Sequence, residues 1–451
     1  MFASKVTIAA TPTRIKAIRM RRSNSIHWPL VVQRRLVWTL VCITLSISTA
    51  TADWPNWRGT DGSGSVSTGS FPKVLNESTL SWAFPLPGKG CSTPVIFRDQ
   101  IYITAPENGL DGLTAISKDG TKKWSVTFGQ ENPGKHRNGS GSNPSASVDS
   151  SGIYVYYKSG TLAAVNFDGS VRWQTNLVER YGSDTLFWDH GTSPVVTQAN
   201  VIMTRMHQGE SWIAAFNKKD GALAWKTARN YDTPTECDHG YTTPLVIDFN
   251  SKESILTWGG EHLTIHDATE GTLVWSCGGF NPAKNKLWPA IATPVIVDNT
   301  AIICFGRNDR GIPKMFGVSL SGSGDVPVSN HQWTRDDVSS FVPSPISYEG
   351  QIYLVRDRGE VECLTPADGR TRWNAALPKS RSNFYATPLI ANGVLYAARE
   401  DGMVFVSTLN KDGMTLESEN NMEQSVIGSP VPMDEKILIR GERELRCYSK
   451  P

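Results

Sequence analysis

Residues 162–173 read LAAVNFDGSVRW, and this stretch decides the fold. Its first four residues form a short apolar run, which is typical of a buried β-strand. Asp168-Gly169 follows and supplies the positive φ that a two-residue hairpin requires. Trp173 then lies on the returning strand. The stretch therefore predicts two antiparallel strands joined by a tight turn, with a large aromatic side chain on the second.

The same unit recurs along the chain. Five copies place a tryptophan four residues after the turn glycine: Asp119-Gly120 with Trp124, Asp168-Gly169 with Trp173, Asp220-Gly221 with Trp225, Glu270-Gly271 with Trp275, and Asp368-Gly369 with Trp373. Two copies depart from this pattern, because Trp333 lies nine residues after Gly324 and Glu417 stands where tryptophan is expected. Each unit opens with a proline that follows Ser, Thr or Asn, at Pro94, Pro144, Pro194, Pro244, Pro294, Pro345, Pro388 and Pro430. Repeats at this spacing indicate a single repetitive domain.

Each repeat predicts a four-stranded antiparallel sheet, with the proline at the start of the first strand. Such a sheet cannot bury both faces alone, so the sheets must pack on one another in a ring. The eighth unit ends before its fourth strand, and residues 80–83 carry Trp82 with no strands before it. The prediction is an all-β, eight-bladed β-propeller over residues 80–451, closed by this N-terminal strand. The blades with Gly324 and Glu417 are expected to be the least regular.

The N-terminal 52 residues predict an export signal. They hold eight basic side chains and no acid, an apolar run at residues 36–47, and Ala50-Thr51-Ala52 as a cleavage pattern. An uncleaved anchor helix is the alternative, although the apolar run is short for a span. We therefore predict a signal peptide at residues 1–52, an N-terminal extension at 53–79, a periplasmic or secreted location, and no membrane span after cleavage.

Composition excludes several classes of protein. Hydrophobic residues make up 39% and charged residues 20%, which is enough apolar material for a large core and excludes a disordered chain. Without residues 1–52 the formal net charge falls from +2 to −6, so nucleic acid is not an expected partner. Six cysteines remain after residue 52 without any CxxC pair, which excludes thioredoxin-type chemistry. Cys237 and Cys277 lie in successive loops and are candidates for a disulfide.

The repeated unit Ala-x-x-x-Asp-Gly-x-x-x-Trp, with its Ser/Thr-Pro strands, resembles the tryptophan-docking repeat of the quinoprotein-like propellers. That family includes pyrroloquinoline quinone (PQQ)-dependent alcohol dehydrogenases and BamB-type propellers. The resemblance covers residues 80–451 and implies the eight-bladed fold. Residues 53–59, DWPNWRG, also resemble the start of secreted bacterial proteins of this group. A fold does not define a function, so candidate sites need their own argument.

In six of the eight repeats a basic residue lies at or near the end of the predicted second strand. The residues are Lys158, Arg205, Arg307, Arg356, Arg399 and Arg440. Strand direction places them on one face of the ring, where they predict a cationic funnel that binds an anionic ligand. The alternative is that each cation pairs with a loop acid such as Asp309, Asp357, Glu400 or Glu442.

The long links between blades 1 and 5 supply a second set of candidates on the same face. They are His136, Trp188, Asp189, His190, Asp238, His239 and Trp288. Asp189 and Asp238 each begin an Asp-His-Gly tripeptide, and these lie 49 residues apart. The tripeptides could form a metal site, an acid/base pair or two copies of one structural motif, and we favour copying. No Ser or Cys nucleophile is placed beside either one.

The resemblance to quinone-dependent dehydrogenases implies an adjacent cysteine pair over the quinone and a Glu/Asn/Asp calcium set. The chain has no Cys-Cys pair, so PQQ with calcium is disfavoured and no cofactor is predicted. We predict a monomeric, exported, non-catalytic propeller that binds a protein or an anionic polymer of the cell envelope through one face. The alternative is an enzyme, either a divergent quinone-dependent dehydrogenase or a hydrolase that uses the Asp-His loops.

Overall fold

The computed structural model describes residues 53–451, so the predicted signal peptide and its cleavage site lie outside the described residues. The described chain forms eight sheets, each with four antiparallel strands, which confirms the eight-bladed propeller. Blade 1 contains β3 (Val95–Phe97), β4 (Gln100–Thr104), β5 (Leu110–Ser117) and β6 (Lys122–Gln130), and blade 2 contains β7 (Ser147–Asp149), β8 (Gly152–Tyr156), β9 (Thr161–Val165) and β10 (Val171–Asn176). Blade 3 contains β11 (Val195–Val196), β12 (Asn200–Arg205), β13 (Trp212–Asn217) and β14 (Leu223–Ala228). Blade 4 contains β15 (Leu245–Phe249), β16 (Lys252–Gly259), β17 (His262–Asp267) and β18 (Leu273–Cys277).

Blades 5 to 8 complete the ring. Blade 5 contains β19 (Val295–Val297), β20 (Thr300–Arg307), β21 (Ile312–Ser319) and β23 (His331–Arg335), and blade 6 contains β24 (Ile346–Tyr348), β25 (Gln351–Val355), β26 (Glu360–Leu364) and β27 (Thr371–Ala376). Blade 7 contains β28 (Leu389–Ala391), β29 (Val394–Ala398), β30 (Met403–Asn410) and β31 (Gly413–Asn421). Blade 8 contains β32 (Val431–Met433), β33 (Lys436–Arg440), β34 (Glu444–Tyr448) and the N-terminal β2 (Leu80–Pro85). The helices are α1 (Leu177–Tyr181) and the 3-10 turns Asn308–Arg310 and Val328–Asn330. Strand β2 pairs antiparallel with β34, so the predicted closure of the last blade is confirmed.

The tryptophans lie between neighbouring blades. In six of them the indole N–H donates to a carbonyl in the link between the third and fourth strands of the next blade. The pairs are Trp82 with Lys118 at 3.0 Å, Trp124 with Phe167 at 2.9 Å, Trp173 with Lys218 at 2.9 Å, Trp225 with Ala268 at 3.1 Å, Trp275 with Ser321 at 3.1 Å and Trp333 with Pro366 at 2.7 Å. The turn glycine of the next blade lies under the ring, and a Cβ on Gly169 would meet Trp124 at 2.8 Å. Glycine is therefore needed there for space as well as for its φ of +90°.

Two sequence expectations need correction, one about the turns and one about the cysteines. The links between third and fourth strands are longer than two residues, for example 118–121 in blade 1 and 166–170 in blade 2. A β-bulge also lies just before the tryptophan in both blades. Cys237 and Cys277 are free, buried thiols, so the expected disulfide is wrong. The Sγ–H of Cys237 donates instead to the Asn285 carbonyl at 3.2 Å.

The irregular blades lie where the sequence pattern breaks, as expected. The insertion in blade 5 forms β22 (Gly324–Val326), which pairs parallel with β18 and gives the blade 4 sheet a fifth strand. In blade 7 the Glu417 side chain accepts a hydrogen bond from Lys73 of the N-terminal extension at 2.8 Å. An ion pair to the extension thus occupies the position where other blades carry their docking tryptophan.

The N-terminal extension crosses the central channel of the ring. Trp54 exchanges two backbone hydrogen bonds of 2.8 Å with Ile96 of blade 1, and the Pro55 carbonyl accepts one from Val148 of blade 2 at 2.9 Å. Strand β1 (Ser65–Val66) then pairs parallel with β28 of blade 7. The first strands of successive blades contact one another around the channel. The extension thus links blades 1 and 2 to blade 7, which is not adjacent to either.

Candidate functional site

The channel opens into a cavity of about 640 Å³, which we call the central cavity. It lies on the face that carries the links between blades, here called the linker face. Its lining includes Trp57 of the extension and one Ser or Thr from every blade. We call these eight residues the hydroxyl ring: Thr93, Ser145, Ser193, Thr243, Thr293, Ser344, Thr387 and Ser429.

The hydroxyl ring joins each blade to the next. The backbone N–H of one member donates to the side-chain oxygen of the following member at seven of the junctions, with distances of 2.9–3.1 Å. Seven members directly precede the repeated proline, and this regular position is the signal by which the sequence could have identified the ring. Blade 2 differs, since Pro144 lies two residues too early and Ser145 takes the ring position.

Arg58 holds the extension in the channel beside Trp57. Its guanidinium donates to the carbonyls of Thr293 and Pro294 of blade 5 and of Pro345 of blade 6, at 3.1, 2.6 and 3.2 Å. It also lies 5.1 Å from the centre of the Trp57 ring. Burial lowers the pKa of Arg58 to about 9, although Asp61 opposes this. No sequence pattern indicates this role, because the carbonyl partners are more than 200 residues away.

Three of the six predicted funnel cations are hydrogen-bonded to carboxylates. Lys158 Nζ lies 2.7 Å from Asp189 Oδ1, and Arg307 forms a bidentate pair with Asp309 at 2.8 and 2.6 Å. Arg399 Nε donates to both oxygens of Asp401 at 3.0 Å. Of the six cations only Arg307 lines the central cavity among the described residues. The salt-bridge alternative therefore describes these three side chains.

The other three cations are turned toward the protein. Arg356 donates to Asn308 at 2.8 Å and lies 3.7 Å from Glu362. Arg205 is buried and donates to the carbonyls of Tyr181 and Gly182, each at 2.6 Å. Arg440 is buried and donates to the Ser92 carbonyl at 2.7 Å, and its burial lowers its pKa to about 10. These guanidinium groups bind backbone and neighbouring side chains at the blade junctions, so they do not form an open cationic funnel.

Apart from Asp309, the loop acids named as alternative partners have other roles. Asp357 accepts hydrogen bonds from the backbone N–H groups of Phe341 and Val342 at 2.9 and 3.1 Å. Glu400 accepts one from the Asn383 N–H at 2.9 Å and another from Asn138 at 2.7 Å. Both acids therefore fix links between blades, whereas Glu442 lies 3.8 Å from Lys89.

Three of the linker candidates meet at the wall of the cavity. Asp189 accepts hydrogen bonds from Lys158 and from the backbone N–H groups of Lys135 and His136, at 2.7, 2.8 and 3.1 Å. Burial by itself raises the pKa of Asp189, but these hydrogen bonds outweigh it, so the pKa lies below its ordinary value. The rings of His136 and Trp188 pack edge to face with centroids 5.2 Å apart. The structure therefore brings together His136, from the link between blades 1 and 2, and Trp188 and Asp189, from the link between blades 2 and 3.

The remaining linker candidates do not reach the cavity. His190 is buried edge-on against Tyr156 at 4.9 Å, and Trp288 is buried against Phe305. His239 is also buried, with Nε2 3.8 Å from Asp238. The two Asp-His-Gly tripeptides are not equivalent, because Asp189 precedes the ring residue Ser193 by four positions while Asp238 precedes Thr243 by five.

The metal-ligating and thiol side chains near the cavity bear on the calcium and quinone that the family resemblance implies. Across residues 53–451 no three His, Cys, Asp or Glu side chains are grouped so that they could hold a metal ion. The cavity wall offers Cys91 as a thiol, and its Sγ–H donates to the Asn138 carbonyl at 2.6 Å. Burial raises the pKa of this thiol to about 11, so it is protonated at neutral pH.

The propeller, its docking tryptophans and its central cavity define a PQQ-repeat type of β-propeller. The sequence model of the family described as outer membrane protein assembly factor BamB matches residues 35–214 and 135–375, which together cover more than half of the chain. The chain belongs to this family. A comparison with curated protein sequences gives no match.

Solved structures with the same fold are distant in sequence. BamB from Moraxella catarrhalis is 15% identical with a TM-score of 0.57, and the match covers 82% of this chain and 97% of that chain. The quinohemoprotein alcohol dehydrogenase from Comamonas testosteroni is 12% identical with a TM-score of 0.59, covering 88% and 80%. A europium-containing methanol dehydrogenase is 9% identical with a TM-score of 0.59, covering 86% and 89%. At these identities the likeness concerns the fold alone.

Proposed function

We propose that this protein is an exported, non-catalytic propeller that binds a protein partner in the cell envelope through its linker face. The observation that carries the proposal is an exposed aromatic pair at the mouth of the central cavity. Phe187 and Trp188 are 56% and 42% exposed. Aromatic side chains dominate the binding energy of protein interfaces, and tryptophan is especially frequent at such positions.

The pair is held in place before any partner binds. The rings of Phe187 and Trp188 meet edge to face at 4.8 Å, and the Trp188 N–H donates to the Tyr241 hydroxyl at 3.0 Å. The His136 ring also packs against Trp188, with its centroid 5.2 Å away. A preorganised anchor loses little side-chain entropy on association, which favours binding.

Charge and family membership also support a protein partner. The cations predicted for an anionic ligand have carboxylate or backbone partners, so an anionic polymer is a weaker candidate than a protein. The BamB-like fold is compatible with a non-catalytic binding role. Among residues 53–451 no helix is long and apolar enough to cross a membrane. Export rests on the predicted signal peptide, and both imidazoles of the Asp-His loops are buried, so we do not propose a hydrolase.

Site-specific photo-crosslinking in the exporting cells tests this proposal. A photoreactive residue at Phe187 is expected to give a discrete crosslinked protein, and Trp188→Ala in the same chain is expected to abolish it. The matched control is a photoreactive residue at Val328, which is 57% exposed but lies outside the central cavity. Identical products from both positions, or a product that survives Trp188→Ala with unchanged yield, would contradict the proposed surface.

A further inference from the structure

We propose that the central cavity binds a neutral saccharide. This inference does not rest on the protein partner proposed above, because it concerns the hydroxyl ring and the Trp57 floor below the exposed aromatic pair. The volume of about 640 Å³ lies within the range of about 300–1,000 Å³ that is usual for small-molecule sites. Trp57 and Arg58 close the channel beneath it, so a ligand would enter from the linker face.

The hydroxyl ring offers unused hydrogen-bond donors. Seven of its oxygens accept a backbone N–H, yet within the part of the chain that the structure describes their own O–H groups have no acceptor. A hydroxyl carries one donor and two acceptor sites, so each of these protons is available to a ligand or to water. The donors are distributed around the channel, which suits a ligand with oxygens along its whole perimeter.

Amide side chains add both acceptors and donors to the wall. Asn138 and Asn383 use their NH₂ groups on Glu400 and Tyr385, at 2.7 and 3.2 Å, which leaves their carbonyl oxygens without a donor from residues 53–451. Asn143 uses its carbonyl oxygen on Ser140 at 2.9 Å, which leaves its NH₂ group. Sugar hydroxyls both donate and accept, so they match a wall that offers both kinds of group.

Most of the charged side chains on the wall have a partner of opposite sign or backbone donors. Asp309 neutralises Arg307 at 2.6 Å, and Lys158 neutralises Asp189 at 2.7 Å. Three further charged side chains line the wall: Glu236 and Arg310 have opposite signs, and Asp357 accepts hydrogen bonds from the Phe341 and Val342 N–H groups and from the Asn308 amide. A strongly charged ligand needs a surface of the opposite sign, so this cavity favours a neutral one.

Aromatic rings complete the match to a sugar. Trp57 forms part of the floor, and Tyr241 and Tyr385 stand on the wall. The negative face of an aromatic ring attracts the polarised C–H groups of a pyranose ring, just as aromatic edges pack on aromatic faces. Hydroxyl donors around the perimeter and aromatic faces at the floor and wall together point to a saccharide of two or three sugar rings.

The experiment titrates the exported protein with neutral trisaccharides of the cello, malto and chito series, up to about 10 mM, while tryptophan fluorescence and heat are measured. PQQ with calcium and inorganic pyrophosphate serve as anionic probes. At least one trisaccharide is expected to bind and to change tryptophan emission. If none of the three binds, or if only an anionic probe binds, the proposal is overturned.

A pair of neighbouring variants separates ligand contact from folding. Thr243→Val removes a ring hydroxyl that lines the cavity, and Thr242→Val removes a buried hydroxyl that donates to the Trp258 carbonyl instead. Both variants are expected to lower the melting temperature. Only Thr243→Val is expected to weaken saccharide binding, by about fivefold or more. Equal affinities for the two variants would overturn the assignment of the ring as the binding surface.

Discussion

His190 shows how burial changes the meaning of a residue that looks catalytic in the sequence. Its ring is buried against Tyr156, and within the described chain neither ring nitrogen has a hydrogen-bond partner. Burial lowers the pKa of His190 to about 4, although Asp184 at 3.9 Å opposes this. The imidazole is therefore neutral at neutral pH and contributes packing rather than proton transfer.

We predict that this histidine makes the fold sensitive to acid. In the unfolded chain a histidine has a pKa near 6.5, so it binds a proton below about pH 6.5 while the folded state does so only below about pH 4. The contribution of neutral His190 to the free energy of unfolding is therefore fully present above about pH 6.5. It is lost as the pH drops toward 4, and the loss is on the order of 3 kcal/mol. Urea unfolding of the protein and of His190→Gln at a series of pH values measures this. If both proteins lose the same unfolding free energy between pH 6.5 and 4, His190 is not the source of the acid sensitivity.

Individual site residues were predicted unevenly, for physical reasons. The pairs Arg307–Asp309 and Arg399–Asp401 are two residues apart, so the sequence nearly specifies them. The pair Lys158–Asp189 joins a loop of blade 2 to the following link, and the choice of partner depends on loop conformation that no periodic pattern encodes. The two local pairs could therefore be predicted from the sequence, whereas the pair of Lys158 with Asp189 could not.

At the scale of the structural elements, the junction between blades depends on a tryptophan and a glycine that the sequence keeps in register. Trp173 of blade 2 is buried and donates to the Lys218 carbonyl in the turn of blade 3. A Cβ on Gly221 in that turn would meet the Trp173 ring at 2.7 Å, and the glycine has a φ of +72°. The sequence predicted this packing because both residues recur with the repeat.

A double-mutant cycle on this junction is expected to show strong coupling. Trp173→Ala should cost about 3–5 kcal/mol of unfolding free energy. Gly221→Ala should also destabilise, by a steric clash and by the positive φ. The double variant should lose clearly less than the sum, because the clash disappears with the indole. Gly350→Ala is the control for φ alone, since Gly350 has a φ of +68° with no atom within 4 Å of its Cβ position. Additive losses would exclude the proposed contact.

On the scale of the whole molecule, one N-terminal segment both closes the ring and fills its channel. The closing strand β2 was predictable, because Trp82 had no strands of its own and the last blade lacked one. The path of residues 53–79 was not, since it follows no periodic pattern and is fixed by contacts such as those of Arg58 with blades 5 and 6. The central cavity owes its floor to this segment.

We therefore expect two truncations to have different effects. Removing residues 53–90 deletes Trp82 and Arg58 and exposes the edge of β34, so it should cost at least the roughly 3 to 5 kcal/mol typical of losing a core tryptophan and should promote association through the open strand. Removing residues 53–64 deletes the channel segment but keeps β1 and β2, so the ring should stay closed and monomeric with a smaller loss. Thermal unfolding and gel filtration of both proteins measure these effects. If the longer truncation melts at the temperature of the intact protein, β2 does not close the ring. If both truncations lose the same stability, the channel contacts of Arg58, and not the strand, hold the two ends of the propeller together.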